Sequence, residues 1–408
     1  MRYCGYSEYF HDAGLAFVNE RGEIEYATHA ERHTKRKFEN TIPDEMWEMV
    51  KPSDHVTFYE DHRIRRERFM SVNMEFESEC IPRMHKNVML DALVFDDFIT
   101  HHTSHAAMGY YTRPWDSEED TVILSVDGVG ERQSMVIFDH NMKELESWNS
   151  PVSLGLLYTH TTKAIGLRPL EDDYVVMGMS AYGEPIYADD IMDFFKSLQT
   201  KAKRNKMLTD DSPIKSFIKH ISSKCSREDL AASVQMFAEN LFMELARTCR
   251  KYGSKLIVTG GCAQNIISMT KIKESGLFED MHIAVAPTDA GSALGAAAYQ
   301  YCKQTGENKI KWKDAYLGTD MGCTINPKEV VNHLLEHEYC GIASGRAEYG
   351  PRALGNRSLI ADVRRDVKDT VNRIKRRQEY RPFAPAILEE FASDYFEGPM
   401  NEYMQYQA

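Results

Sequence analysis

Long hydrophobic runs are missing from this chain. No stretch of about eighteen apolar residues occurs in its 408 residues, so no segment is expected to span a membrane. The start, MRYCGYSEYFHDAG, has no apolar signal core, which argues against secretion. The eight cysteines (Cys4, Cys80, Cys225, Cys249, Cys262, Cys302, Cys323, Cys340) are scattered and form no CxxC pair. That spacing indicates neither a disulfide framework nor a cysteine zinc site, and a reduced, cytoplasmic protein is expected. With 14 prolines and 24 glycines there is no tract rich enough in either to mark disorder. Excess positive charge is also absent: 49 Lys and Arg face 62 Asp and Glu, a net of -13, so bulk nucleic-acid binding is not expected. What remains is an ordinary globular composition, 42% hydrophobic, long enough for two or three domains with a large core.

Residues 100–131, THHTSHAAMGYYTRPWDSEEDTVILSVDGVGE, carry the strongest chemical signal. His101 and His105 stand four apart in a helix-compatible run, which puts both imidazoles on one face. TVILSV reads as a buried strand that ends at Asp127 in an Asp-Gly turn. Two imidazoles and a carboxylate at a strand end can hold a borderline or harder divalent ion with open coordination positions. The competing reading is a satisfied histidine pair near a helix start.

The rest of the chain gives context. Residues 3–30 read as a β-hairpin, with His11-Asp12-Ala13-Gly14 at a bend that would suit backbone approach to phosphate or serve as a plain turn. The charge run Glu31–Lys37 is a solvated face or the lining of an anion site. A helix is expected from about Asn87 to Phe98, strands at TVILSV and SMVIFD, a helix near TKAIGL, and a loop from Gly178 to Pro185. Residues 187–228 read as an inserted helical region. From Leu230, steps of three and four through Val234, Phe237, Leu241 and Leu245 predict an amphipathic helix ending at Gly253.

Two junctions share one logic. KLIVT empties into Gly260-Gly261, with Gln264 and Asn265 opening the next helix; HIAVAPTDAG ends at Asp289 and Gly291 before a small-residue helix. Glycines at strand-to-helix junctions let backbone N–H groups face phosphate, with help from the helix dipole. Together with the Asp127-Gly128 turn and the first bend, they point to an α/β protein of the actin-like, ribonuclease-H-like ATPase fold. In such a fold Asp127 and Asp289 occupy equivalent acidic positions in two halves; the alternative for Asp289 is a helix N-cap. The last segment is basic. Residues 346–381 hold eleven Lys or Arg and five Asp or Glu, 11 − 5 = +6, with Arg346, Arg352 and Arg357 among glycines. This suits a phosphate-rich small ligand, while Arg373–Arg377 also fits a basic surface helix.

These motifs resemble the O-carbamoyltransferases of the nodulation-factor and antibiotic-tailoring type. The matching pieces are HDAG at 11–14, HHTSHAA at 101–107, SVDGVGE at 125–131, MGMSAYGEP at 177–185, TGGCAQN at 259–265 and PTDAGSALGAA at 287–297. The longest is GRAEYGPRALGNRSLIAD at 345–362, followed by RPFAPAILEE at 381–390. The resemblance implies a transfer domain over residues 1–324, similar to tRNA threonylcarbamoyl transferases, and the start of a threonylcarbamoyl-adenylate-synthase-like domain over 325–408. Carbamoyl phosphate and ATP would give carbamoyl adenylate plus pyrophosphate. The carbamoyl group would then pass to a hydroxyl of a small-molecule, sugar or nucleoside acceptor.

Carried over by position, His101, His105, Asp127 and Asp289 would ligate the metal, of iron type with magnesium or manganese as alternatives. Gly128, Gly260, Gly261, Asn265 and Gly291 would hold the nucleotide. His11, with Asp12 beside it, would serve the transfer step, and Arg346, Arg352 and Arg357 the activation step. Two departures stand out. The family's lysine before the VMG element is absent from Asp173-Tyr174-Val175-Val176-Met177-Gly178, with Lys163 as a substitute, and the chain stops at Ala408, before the activating domain would be complete. A partner chain supplying the remainder, and a homodimer, are both compatible with this. Other functions weighed are tRNA threonylcarbamoylation and a non-catalytic nucleotide-binding subunit.

Overall fold

The structure, a computed structural model, describes residues 1–71, 82–87, 92–204 and 211–408. The chain opens with β1 (Arg2–Ser7), β2 (Gly14–Asn19) and β3 (Ile24–His29), then short α1 (Ala30–Thr34) and α2 (Asp44–Trp47). β4 (His55–Phe58), α3 (His62–Ser71), β5 (Met84–Asn87), β6 (Ala92–Phe95) and β7 (Asp97–Phe98) lead to α4 (His101–Tyr111). The second half begins with β8 (Thr121–Val126), β9 (Gln133–Asp139) and β10 (Glu144–Asn149). Helices α5 (Leu154–Ala164), α6 (Asp173–Met179), α7 (Ala188–Arg204), α8 (Ser212–Ser222) and α9 (Arg227–Cys249) follow. It closes with β11 (Lys255–Thr259), α10 (Ile266–Glu274), β12 (Asp280–Ile283) and α11 (Asp289–Thr305).

Two five-stranded sheets repeat one plan. The orders are β3-β2-β1-β4-β7 and β10-β9-β8-β11-β12. In each, the first three strands form an antiparallel meander and the last two add in parallel beyond the first. This duplicated order is the actin-like, ribonuclease-H-like α/β fold. Parallel addition requires crossover helices, which is why α9 and α10 are inserted where they are. The central strand β8 is buried along its whole length, so its sequence is a near-continuous apolar run and not an alternating one.

The last helix of each half crosses over. α4 packs on β8 and β11 of the second sheet, α11 packs on β1 and β2 of the first, and the two helices pack on each other. Small residues make the crossing feasible. A Cβ at Gly295 would lie 1.9 Å from the Ser104 carbonyl oxygen, and one at Gly5 would lie 2.0 Å from that of Ala293. No other residue fits at either point without separating the backbones.

After α11 the chain forms β13 (Tyr316–Asp320), α12 (Pro327–His337), β14 (Tyr339–Ala343), β15 (Arg346–Glu348), β16 (Arg357–Ala361), α13 (Lys368–Ile374) and α14 (Glu389–Tyr395). Strand β13 pairs with β15 and β14 with β16. This segment is tied to α11 and to the first sheet: Tyr349 Oη donates to Ala290 O at 2.6 Å, and Gly350 N donates to His29 Nε2 at 3.1 Å. Among the described residues no helix is long and apolar enough to cross a membrane.

Four expectations need correction. Asp127 and Asp289 do not occupy equivalent positions in two halves: both lie in the second, Asp127 after β8 and Asp289 at the start of α11, where the first half has His101 at the start of α4. Residues 3–30 form three antiparallel strands instead of a two-stranded hairpin, because the bend at His11–Gly14 reverses the chain; Asp12 takes a left-handed φ of 53° there. The helix expected from Asn87 to Phe98 is instead strand: β5 ends at Asn87 and pairs with β6, and β7 joins the first sheet, while residues 88–91 lie outside the described residues. Short apolar runs such as ALVF do not distinguish helix from strand, and pairing decides. The expected loop at 178–185 begins as helix, with Gly178 inside α6 and a 3-10 turn over Ser180–Tyr182.

Candidate metal centre

The crossing of α4 and α11 brings distant residues together. His101 is the first residue of α4 and His105 lies one turn later; Asp127 follows β8, and Asp289 is the first residue of α11. One ligand atom from each lies within 4.8 Å of all the others, and all four residues are buried. His105 Nε2 is 2.8 Å from Asp127 Oδ2 and 3.3 Å from Asp289 Oδ1. His101 Nε2 is 3.2 Å from Asp127 Oδ2 and 3.7 Å from Asp289 Oδ1, and the two Nε2 atoms are 3.1 Å apart. Among the described residues, neither oxygen of Asp289 has a hydrogen-bond donor aligned on it, though the side chain is about 1% exposed. A buried carboxylate without donors is costly unless a cation faces it. Two imidazole nitrogens and two carboxylate oxygens fit a borderline divalent cation.

Without such a cation the four groups hold protons for one another. Burial pushes His101 down, but Asp289, Asp127 and Glu131 outweigh it and hold the imidazole at about 9. Burial lowers His105, but the carboxylates of Asp127 and Asp289 outweigh it and raise it. Burial pushes Asp127 up, yet hydrogen bonds from His101 and His105 take it well below the usual carboxylate range; Asp289 is lowered too, by His11 and His101 against its burial. The middle histidine differs. His102 places Nδ1 2.8 Å from Ser125 Oγ and Nε2 3.0 Å from Gln133 O, and burial beside His101 drives it to about 3. The satisfied-histidine reading therefore describes His102, not its neighbours.

The other anticipated residues separate into three groups. His11 joins the cluster, with Nδ1 3.9 Å from Asp289 Oδ2 and 3.3 Å from Asp12 Oδ2. Burial lowers it, but Asp289 and Asp12 raise it to about 9; the side chain is 19% exposed, while the Nδ1 atom itself is enclosed. Gly128 faces open space, since a Cβ built there meets nothing within 4 Å. Gly261 lies against Asp127, its Cβ position 3.0 Å from Oδ1.

Gly260, Gly291 and Asn265 have packing duties. A Cβ at Gly260, where φ is +87°, would strike Val126 O at 2.3 Å, and one at Gly291 would strike Ala286 O at 1.7 Å. Asn265 Oδ1 caps α10 through Ser268 N and accepts from Gln235 Nε2; its Nδ2 donates to Tyr158 Oη and Gln235 Oε1. That side chain has no hydrogen left for a nucleotide. The arginines also divide. Arg346 donates to the carbonyls of Gly318, Leu317 and Glu25, and Arg357 to those of Ser344, Thr319 and Gly345. Both therefore brace loops.

Arg352 belongs instead to a cationic group that the sequence reading underrated. Burial and nearby Arg381 lower it; burial and Arg381 lower Arg377 to about 10; and burial, Arg377, Arg381 and Lys37 lower Lys375. Arg381 stacks 4.3 Å from the Tyr174 ring and donates to its Oη at 3.0 Å, so it reaches α6 close to Val176, which is buried. Lys163, the anticipated substitute there, is exposed at the end of α5. The one signal for this group was the basic run before RPFAP, which a solvated helix explains as readily.

Two α/β lobes of identical strand order, cross-braced by their own helices around a buried two-histidine, two-carboxylate cluster, define a bilobal α/β protein equipped to ligate a divalent cation. Its family follows from sequence. Residues 69–298 match the family described as Carbamoyltransferase N-terminus and residues 331–408 that described as Carbamoyltransferase C-terminus. The chain belongs to the carbamoyltransferase family, a family of transferases. It is 28% identical to an uncharacterized protein of Synechocystis, over 96% of this chain and 76% of that one. It is 28% identical to nodulation protein NolNO of Sinorhizobium fredii (96% of this chain, 64% of that one). To nodulation protein NolO of Bradyrhizobium diazoefficiens it is 31% identical (74% of this chain, 60% of that one). The chain thus spans less than two thirds of both nodulation proteins. Among solved structures, similarity is found to the activator of the 2-hydroxyisocaproyl-CoA dehydratase from Clostridium difficile with bound ADPNP. The TM-score is 0.42 at 15% identity, covering 76% of this chain and 100% of that one.

Proposed function

We propose that this protein is an ATP-dependent O-carbamoyltransferase, with the transfer site in residues 1–324 and the activation site reaching into residues 325–408. The observation that carries the reading is the convergence of His101, His105, Asp127 and Asp289, with both Asp289 oxygens lacking an aligned donor among the described residues, in a member of the carbamoyltransferase family. In the activation step, water cleaves carbamoyl phosphate to carbamate and phosphate, and the carbamate oxygen then displaces pyrophosphate from the α-phosphorus of ATP to give carbamoyl adenylate. Arg352, Lys375, Arg377 and Arg381 supply the positive charge that this chemistry needs, and Arg346 and Arg357 hold the loop that presents Arg352.

In the transfer step, the acceptor hydroxyl would lose its proton to Asp12, or to His11 once a cation facing Asp289 has removed the charge that holds His11 protonated, while the hydroxyl oxygen bonds to the carbamoyl carbon. The bond from that carbon to the AMP phosphate oxygen breaks, and AMP leaves. His101, His105, Asp127 and Asp289 would hold a divalent cation, Fe(II) suiting the mixed imidazole and carboxylate donors, and when bound it would supply Lewis-acid chemistry to the transfer site. Open space over Gly128, next to Asp127, leaves room for the nucleotide. The acceptor is a hydroxyl of a small molecule, sugar or nucleoside. The test is incubation with carbamoyl phosphate, labelled ATP and a panel of such acceptors. Carbamoyl-phosphate-dependent pyrophosphate release and a carbamoylated acceptor are expected; no pyrophosphate release by the full protein overturns the reading.

A further inference from the structure

We propose that Glu131 is the positioning residue of this centre: its buried carboxylate anchors the main chain of His101 and so sets where that imidazole stands. The inference rests on the reading of His101, His105, Asp127 and Asp289 as cation ligands. The two imidazoles are supported differently. His105 turns Nδ1 to Ser292 Oγ at 3.2 Å, the kind of outer hydrogen bond that orients a ligating ring. The Nδ1 of His101 is buried and has no hydrogen-bond partner among the described residues. Its orientation must therefore come from packing and from its backbone.

Packing is tight on one flank. A Cβ at Gly130 would lie 2.9–3.0 Å from carbon atoms of the His101 side chain, while the Tyr59 ring lies 5.5 Å away. The backbone is fixed by one oxygen. Thr100, at the N-cap of α4, makes no side-chain capping bond, and the His101 N–H donates instead to Glu131 Oε1 at 2.8 Å. The same Oε1 accepts the Asp61 N–H at 2.7 Å, and Glu131 is 4% exposed. Asp61 follows β4 in the first sheet, whereas Glu131 shares the β8–β9 turn of the second sheet with Asp127. A single carboxylate oxygen thus joins both sheets to the residue that opens the ligand-bearing helix. Arg68 Nη1 steadies the same turn by donating to Gly130 O at 2.6 Å. A carboxylate at a helix N-terminus is also favoured by the helix dipole.

The test is Co²⁺ titration of the full chain, followed by visible absorption, for the parent and for Glu131→Ala, Glu131→Gln and Glu131→Asp, with circular dichroism as a check of folding. Glutamine keeps an acceptor oxygen at the same reach; aspartate keeps the charge but withdraws it by about 1.5 Å. Co²⁺ affinity should fall about 10- to 100-fold in Glu131→Ala and Glu131→Asp and stay close to the parent in Glu131→Gln. An unchanged affinity and absorption band in folded Glu131→Ala overturns the proposal. So does the reverse order, with glutamine weakened and aspartate intact, because charge and not anchoring would then be at work. If Glu131→Ala does not fold, the Gln and Asp pair decides. If the parent gives no Co²⁺ band, the ligand reading fails by itself. The anchor is then judged by amide exchange, where faster exchange at His101 and Asp61 in Glu131→Asp supports it and unchanged exchange overturns it.

Discussion

At the scale of the residue, the four putting their polar atoms together are not interchangeable. Asp289→Asn keeps the shape but removes the charge, and the neighbouring imidazoles then lose the group that raises them; bound iron or manganese should fall below one tenth of the parent's, measured by elemental analysis of the purified protein. Ser125→Ala should leave metal content intact, because it touches only the structural His102. His11→Ala should slow carbamoyl transfer by roughly 10²- to 10⁴-fold with metal content retained, a contrast that acceptor carbamoylation and elemental analysis resolve together. The HHTSHAA spelling made His101 and His105 candidates. It did not say that His102 would be the satisfied one, because that depends on Ser125 and Gln133 from another strand.

At the scale of the element, the fold rests on where α4 and α11 cross. Gly295→Val would place a branched side chain where a Cβ already meets Ser104 O at 1.9 Å. Separation of the helices should cost several kcal/mol, more than an ordinary overpacked site, and either prevent folding or lower the thermal midpoint by many degrees. Asn265→Ala removes the α10 cap and should cost about 1 kcal/mol without changing nucleotide affinity, since its amide is already committed to Gln235 and Tyr158. Denaturant unfolding and nucleotide titration check the two halves of that statement. Most elements were legible as periodicity: α9 from its apolar steps, β8 and β11 from their apolar runs. The helix expected across Asn87–Phe98 failed because its apolar residues found strand partners, a choice made by tertiary pairing.

At the scale of the whole molecule, buried histidines make stability depend on pH. His29, which accepts from Gly350 N and ties the basic segment to the first sheet, is driven by burial to about 4, and His102 to about 3. Both are neutral when folded and take up protons when unfolded below about 6.5, so they favour unfolding as pH falls from there towards 4. In metal-free protein His101, held at about 9, acts oppositely: its contribution is complete below about 6.5 and fades as pH rises through 9. Metal-free protein should therefore be most stable near pH 6.5, losing on the order of 4 kcal/mol by pH 4.5, where two histidines act, and on the order of 3 kcal/mol by pH 9, where one does. Bound divalent metal should remove the alkaline loss. Urea midpoints at pH 4.5, 6.5 and 9, with and without Mn²⁺, test this. Also at this scale, Arg381→Ala should abolish pyrophosphate release while sparing metal content, because that side chain lies on Tyr174 and is bonded to none of the four ligands.

Sequence by itself determined the α/β class, the apolar strands that empty into acidic or glycine turns, the helical spacing of the two imidazoles and the family. All of these are local properties, readable as period, turn chemistry and motif. Only the tertiary structure decided which glycines are packing points, which arginines brace loops and which gather beside Arg381, and that Glu131 reaches back to the start of α4. These are decided by the crossing of two helices between two sheets, which brings together residues separated by nearly two hundred positions, and no local pattern records what a side chain will meet there.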